Sequence, residues 1–523
     1  METDVLVVGA GPTGLMLANQ LGRRGVRVVI IDRHAEPSVQ TRAIGVQART
    51  LEIYSHLGIA DRAVELGRRA TGADMWSRGH HAARVPFGDI GRDQSPYPFI
   101  LILGQDDNER LMGEALRARG LDVDWNTELV GLAQHSDHVV ATLKRPDGTT
   151  HQVTAAWVAG CDGARSSVRE LNGIDFVGAP YEDVFFVADT QLSGPMVPDE
   201  VNVYLWPRGF HLFFPMLGPQ HWRLVGIVPA ALRGRSDLTL DDVIPSITQE
   251  AGSSLVFHGC SWFSTYRIHH RRAARFRDRR CFLLGDAAHV HSPVGAQGMN
   301  TGLQDAYNLA WKLALVVGGR AGAAVLDSYE EERIPVAERL LRTTDRAFAL
   351  VVSDGGLAGL VRTRLLPKLL AFAMKLQPVR RLAFRTISQI GIHYRDASLS
   401  ETLSGLPDAA PRAGDRFPWL NLKLSTDGPV QDLFQALDDT RFSLLLFGQT
   451  AAPAGHPALG DLLRTHVVPD DPHNVRELAR VRIPRPAFYL VRPDGYVGLC
   501  GGRLEPAAVA DYLSRRLAPS GLA

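Results

Sequence analysis

The sequence predicts a chain of mixed α/β and α+β class: a parallel βαβ sheet, a mainly antiparallel sheet inserted into it, a helical segment, and a separate C-terminal α/β unit. Three observations carry this. The chain opens with an apolar strand that runs into a glycine-rich turn, a helix and a second buried strand. From about Tyr181 to Trp262 the pattern changes to short aromatic-rich strands broken by Gly and Pro. After Leu406 the segment Pro407-Asp408-Ala409-Ala410-Pro411 reads as a linker, and a new alternation of strands and helices begins. At 523 residues the chain exceeds what one hydrophobic core supports, so two or three folding units are expected.

Each element has its own signal. Asp4 to Val8 is apolar and β-branched, Leu15 to Leu21 has helical periodicity, and Arg27 to Ile31 is a second buried strand ending at Asp32. Thr50 to Leu57 reads as a helix, with Gly58 where a left-handed cap is expected. Val139 to Leu143 and His151 to Val158 flank the turn Pro146-Asp147-Gly148 and predict a hairpin or meander. Val201 to Trp206, Phe210 to Pro215 and Trp222 to Val228 are the strands of the inserted layer. The chain then returns to a buried strand, Cys281 to Leu284, followed by Gly285-Asp286 and a helix from about Met299 to Val317, and a helical block fills Asp327 to about Ile392. Beyond the linker, Arg441 to Phe447, Phe488 to Val491 and Val497 to Leu499 are strands and Ala507 to Leu517 a terminal helix. The expected division is 1–180 with 263–345 as a discontinuous nucleotide-binding domain, 181–262 as the inserted sheet, 346–400 as the helical segment and 407–523 as the C-terminal unit.

A formal charge of +1 gives no whole-chain electrostatic case for nucleic acid, which leaves small molecules as the expected partners. Cys161, Cys260, Cys281 and Cys500 lie far apart with neither CxxC nor zinc-site spacing, as reduced thiols of a cytoplasmic enzyme do. The strand at Asp4 leaves no room for a signal peptide, and no apolar run reaches the roughly 18 residues of a membrane span. Leu357 to Phe384 comes nearest, but cations interrupt it at helical intervals, giving a membrane-surface helix or one packed on a neighbouring domain or subunit.

The chemistry starts at Gly9-Ala10-Gly11-Pro12-Thr13-Gly14. Gly9 permits a tight turn, Gly11 lets a pyrophosphate approach the backbone, Gly14 allows close helix packing, and Asp32 at the end of the next strand can accept ribose hydroxyls. Placed inside a βαβ unit, this is a Rossmann-type dinucleotide site, to which Thr13 and Arg33 are added as cofactor contacts; the loop does not choose between NAD and FAD. Asp286, just past a buried strand, sits at the carboxyl edge of the sheet and can bind a polyol; Pro293, Gly295 and Gly298 follow too soon for it to cap a helix. In Ser292 to Gly302, small residues let amides approach a planar ring, and the helix beginning near Met299 points its positive end there. His289 and His291 lack a third ligand, so no metal is expected. His269 and His270 lie in the basic run Arg267 to Arg280, which serves as a solvated face, a dimer contact or a landing surface for a nicotinamide phosphate. Tyr204, Trp206, Phe210, His211, Phe213 and Phe214 form either the wall of an apolar pocket or ordinary core, with His211 or Tyr266 as the candidate base or polar partner.

Ala159-Gly160-Cys161-Asp162-Gly163-Ala164-Arg165-Ser166-Ser167-Val168-Arg169 and Leu283-Leu284-Gly285-Asp286-Ala287-Ala288-His289, following the glycine loop in this order, resemble the fingerprints of the flavin-dependent aromatic hydroxylase family. The resemblance covers essentially the whole chain. It implies FAD as cofactor and NAD(P)H as co-substrate without a second Rossmann domain. Asp286 would hold the ribitol, Asp162 would lie near both FAD and the nicotinamide, and Arg42 and Gln105 would contact the flavin nucleotide. Pro293, Gly295, Gly298, Met299 and Asn300 would surround the flavin, with the Pro293 carbonyl near the carbon to which oxygen adds. The implied reaction is hydroxylation of an aromatic, phenolic or polyketide-like substrate by O2 through a flavin C4a-hydroperoxide, with Pro293, Arg42, His211 and Tyr266 as catalytic candidates. The C-terminal unit, entered at Arg412-Ala413-Gly414-Asp415-Arg416, resembles the thioredoxin-like appendage of the phenol hydroxylase and polyketide-tailoring branches; without CxxC it is expected to pack or to form a homodimer rather than exchange electrons. Baeyer–Villiger insertion into a polycyclic ketone and a non-turning-over FAD scaffold are the alternatives. Halogenation is disfavoured because Trp-x-Trp-x-Ile-Pro is missing.

Overall fold

The computed structural model describes residues 1–37, 43–86, 91–207, 209–235, 237–252, 255–291, 297–352, 359, 361–450 and 460–518. The strand Glu2–Val8 lies at the centre of the first sheet, parallel to Val28–Ile31 on one side and to Thr150–Gly160 on the other. Cys281–Leu283 extends the sheet in parallel beyond Thr150–Gly160, and Val123–Asp124 beyond Val28–Ile31. Val5, Leu6 and Val7 are wholly buried, as a strand covered on both faces must be. The helices Pro12–Gly22 and Gly298–Val317 pack against each other over this sheet. All the parallel strands end on one edge, which brings Gly9, Asp32, Asp162 and Asp286 into a single crevice. The expected meander is present: Val139–Lys144 pairs antiparallel with Thr150–Gly160 and with Glu128–Gln134.

The inserted sheet has eight strands and is antiparallel except where Val201–Trp206 runs parallel to Gly72–Ser77. It reaches past 181–262 at both ends, because its long central strands are Phe176–Ser193 and Val256–Ala273. It also recruits Gly72–Ser77 and His80–Pro86 from the first part of the chain. The helix Leu240–Ala251 covers one face through Leu240, Val243 and Ile247, against Phe186, Tyr204, Phe213 and Trp222. Phe185, Leu205, Phe210 and Ile227 belong to the other face.

The C-terminal unit is a five-stranded sheet in which Phe442–Phe447 is parallel to Leu463–Val468 and antiparallel to Ala487–Val491, which in turn pairs with Val497–Gly501. Alternation sorts its strand residues between two cores: Phe442, Leu444 and Leu446 join the main core, whereas Leu445 and Phe447 join the unit's own. Buried ion pairs fasten the junction. Arg416 grips Glu52 at 2.9 and 2.5 Å, Arg23 grips Asp439 at 3.0 and 2.8 Å, and Arg492 bridges Glu332 and Asp494 at 2.5 Å each. Lys312 also reaches Glu332 at 2.8 Å, and burial pushes its ammonium down to about 8. Burial opposes the charge on Glu332, Glu52 and Asp439, but the facing cations override it and hold all three carboxyls below their ordinary range. Cys500 is a buried free thiol.

Candidate active site

A cavity of about 850 Å³ opens at the carboxyl edge of the first sheet. Its floor is the glycine loop. Gly9 has φ +100°, and a Cβ there would fall 2.4 Å from the Cys161 carbonyl oxygen; a Cβ on Gly14 would fall 1.9 Å from the Gly9 carbonyl oxygen. Gly11 differs: its backbone is extended at φ −70° and ψ −176°, and a Cβ would meet nothing within 4 Å. Among the described residues, the space over Gly11 is part of the cavity. Asp32 is held in place by the Ala10 N–H, which donates to Oδ2 at 2.8 Å, and by the His34 N–H, which donates to Oδ1 at 2.9 Å.

Beside the loop, Asp162 lies in the cavity wall with Oδ2 accepting from the Val168 N–H at 3.2 Å. Its Oδ1 is buried without a protein partner, and burial pushes the carboxyl above its ordinary range. A buried acceptor left open beside a cavity fits a ligand that donates to it. Asp286 projects from the turn Gly285–Ala287 as an exposed cavity residue. That turn rests on buried Asp305, which accepts from the Gly285 N–H at 3.0 Å, from His289 Nε2 at 2.8 Å and from Arg333 Nε at 2.6 Å. His289 is thus a structural residue of the turn. Burial opposes ionisation of Asp305, and Arg333 and His289 outweigh it, so its carboxyl stays below the usual range.

The third side combines the start of the helix Gly298–Val317, through Gln297, Gly298 and Met299, with the inserted sheet, through Phe210, Leu212, Phe214, Val225 and Tyr266. Arg33, Thr13, Arg267 and His269 also border the space. Gln105 opens the helix Gln105–Arg117, and its Nε2 donates to Glu109 Oε1 at 2.8 Å. Burial pushes the Glu109 carboxyl up to about 7.

The structure thus brings together Gly9, Gly11, Thr13, Asp32, Arg33, Gln105, Asp162, Asp286, Gly298, Met299 and Tyr266. Gly14 packs beneath the loop. His211 is corrected: the two-residue period of its strand sends Phe210, Leu212 and Phe214 to the cavity and His211 to the opposite face, where Nε2 lies 2.7 Å from Glu250 Oε2 of the covering helix. Tyr204 and Phe213 are core on that far side. Asn300 does not border the cavity; its Oδ1 accepts from the Gln47 N–H at 2.9 Å and the Thr50 hydroxyl at 2.7 Å. Arg42, Pro293 and Gly295 lie outside the described residues. Sequence reasoning missed Glu109, Leu212 and Val225 as wall residues; for Leu212 the signal was present, since it shares strand parity with Phe210 and Phe214. Among the described residues no cluster of three or more metal-ligating side chains occurs.

Residues 2–344 match the family model described as FAD binding domain. The chain is 36% identical to the 6-methylpretetramide 4-monooxygenase of Streptomyces rimosus, over 96% of this chain and 91% of that protein. It is 33% identical to the pentachlorophenol 4-monooxygenase of Sphingobium chlorophenolicum, over 94% and 86% respectively. Among solved structures, the anhydrotetracycline hydroxylase OxyS of Streptomyces rimosus superposes with a TM-score of 0.78 at 30% identity, covering 99% of both chains. The ternary complex of aklavinone-11 hydroxylase with FAD and aklavinone also gives 0.78, at 27% identity, covering 98% of this chain and 99% of that one. The open space over Gly11, the unpartnered Asp162 oxygen and the family match agree, and the chain belongs to the flavin-dependent aromatic hydroxylases, NAD(P)H-using monooxygenases with FAD as their cofactor.

Proposed function

We propose that this enzyme hydroxylates a fused-ring phenolic substrate of polyketide type. The observation that carries the reading is the continuity of one cavity from the dinucleotide cradle at Gly11 and Asp32 to the apolar wall of Phe210, Leu212, Phe214 and Tyr266. Relatives named for 6-methylpretetramide, anhydrotetracycline and aklavinone support the substrate class. When bound, FAD would take two electrons from NAD(P)H and activate O2, one atom of which would enter the substrate while the other leaves as water.

The protein's own residues bind, orient and exclude water. Gly11 leaves the pyrophosphate room, Asp32 accepts from ribose hydroxyls, and Asp286 accepts from the ribitol. The positive end of the helix Gly298–Val317 favours negative charge on the ring system beside it. Phe210, Leu212, Phe214 and Val225 hold the aromatic substrate and keep that end of the cavity dry. Tyr266 offers the substrate a hydroxyl in the same wall, and Arg42 and Pro293, outside the described residues, are proposed as further catalytic residues from the family resemblance alone. Arg267 and His269 form the landing surface for the nicotinamide nucleotide. The four free cysteines suit a reducing, cytoplasmic setting.

Incubation with ¹⁸O2, NADH or NADPH, and a panel of fused-ring phenols tests the reading. One ¹⁸O atom in a new ring hydroxyl is expected, with nicotinamide oxidation exceeding peroxide release. An ester or lactone product would indicate Baeyer–Villiger insertion, and a yellow protein that never consumes NAD(P)H with any aromatic would indicate a scaffold.

A further inference from the structure

The helices Leu366–Ala373 and Gln377–Ile387 show two different sides. Their inner side is anchored. Met374 and Phe384 pack with Ala48 and Ile390, and Arg362, just upstream, donates to the Pro207 carbonyl at 2.6 Å, while Arg381 makes an exposed ion pair with Asp93 at 2.8 Å. The outer side is apolar and bare: Leu369 is 60% exposed, Phe372 65% and Leu382 67%. Leu365, Leu376 and Val379 are exposed with them. Isolated surface leucines need no explanation, but six large apolar side chains on one short segment do.

The charge around this patch is one-sided. Between Asp354 and Asp396 the sequence has eight Lys or Arg and no Asp or Glu. Arg364, Lys368, Lys375 and Arg385 are exposed, and among the described residues no carboxylate pairs with them. Exposed bulky apolar residues flanked by cations form the pattern by which an amphipathic helix lies in a headgroup layer, its apolar side chains reaching the acyl boundary and its cations meeting lipid phosphates. A second copy of this chain is a poor fit, because a two-fold contact through this face would set cations against cations.

We propose that the outer face of the helices Leu366–Ala373 and Gln377–Ile387 docks this protein on an anionic lipid bilayer. It lies on the surface and does not insert, in keeping with the finding that no helix among the described residues is long and apolar enough to cross a membrane.

The test is flotation of the FAD-loaded full chain with vesicles of phosphatidylcholine containing about 30% phosphatidylglycerol, against pure phosphatidylcholine, at low and high salt. Binding to the anionic vesicles is expected, falling with salt and weak on the zwitterionic ones. Lys368→Gln and Lys375→Gln should each weaken partitioning about fivefold. Phe372→Ser with Leu382→Ser should weaken it about tenfold or more. Unchanged flavin absorbance and melting temperature establish that the variants are folded. No flotation with either vesicle, or flotation that none of these substitutions alters, overturns the proposal. So does self-association in vesicle-free solution relieved by Leu382→Ser, which would assign the face to a second copy. None of these readouts involves turnover, so they stand or fall independently of the hydroxylation reading.

Discussion

The cavity and the junction with the C-terminal unit are both lined with buried polar groups, and they treat them in opposite ways. At the junction every carboxylate named above meets a cation: Glu52 has Arg416, Asp439 has Arg23, and Glu332 has Arg492 and Lys312. In the cavity, Gly11 faces open space among the described residues, Asp162 Oδ1 has no partner, and Glu109 is shifted up to about 7 by burial, with no cation beside it to hold it down. The junction matches its carboxylates with cations from the protein itself, while in the cavity an Asp162 oxygen is left open to a ligand.

Substitutions that break the two regions should separate cleanly. The largest effect belongs to Gly14→Val, which drives side-chain atoms into the Gly9 carbonyl; no flavin-loaded protein should be recovered, as read by the 450 nm absorbance of purified material against wild type. Next is Glu332→Gln, which leaves Arg492 and Lys312 under-neutralised in the junction. It should cost about 3–5 kcal/mol in chemical denaturation yet leave FAD affinity unchanged in the folded enzyme. A variant that lost FAD and kept its stability would reverse the assignment of the two regions.

Two smaller effects sharpen the contrast. Phe214→Ala should raise the substrate KM and the fraction of NAD(P)H consumed as peroxide, whereas His211→Ala, on the far face of the same strand, should lower the melting temperature by about 1–3 kcal/mol worth of stability and leave coupling alone. The pH dependences should also have opposite signs. The junction carboxyls are depressed, so their stabilisation is present above the ordinary carboxylate range and is lost as pH falls through their lowered values. Glu109 is raised from 4.5 to about 7, so the folded apoprotein binds its proton more tightly than the unfolded chain, and stability is lost as pH rises across that window. Glu109→Gln should flatten the apoprotein's melting profile there without touching the acid limb.

Local chemistry made part of this legible in the sequence. The turn at Gly9, the acid at Asp32 and the Gly285-Asp286 turn are written in adjacent residues, and all three arrived at one cavity. Gly58 caps its helix at φ 75° as its position implied. Pairing across distance was not legible: nothing near Gly72–Ser77 announces that it lies beside Val201–Trp206. Strand parity separates Phe210 and Phe214 from His211 and Phe213, but it does not say which set faces the ligand; that depended on the helix Leu240–Ala251 covering one side. Asn300 sat in a motif read as flavin-binding, and its amide instead ties down the segment from Gly45 to Thr50.

Gly11→Ala is the decisive substitution, because among the described residues the added methyl meets no atom within 4 Å and enters the cavity proposed for the cofactor. Titration of the deflavinated variant with FAD should show affinity reduced about tenfold or more, with the apoprotein melting as wild type does. Wild-type FAD affinity in this variant would contradict the placement of the cofactor over the glycine loop.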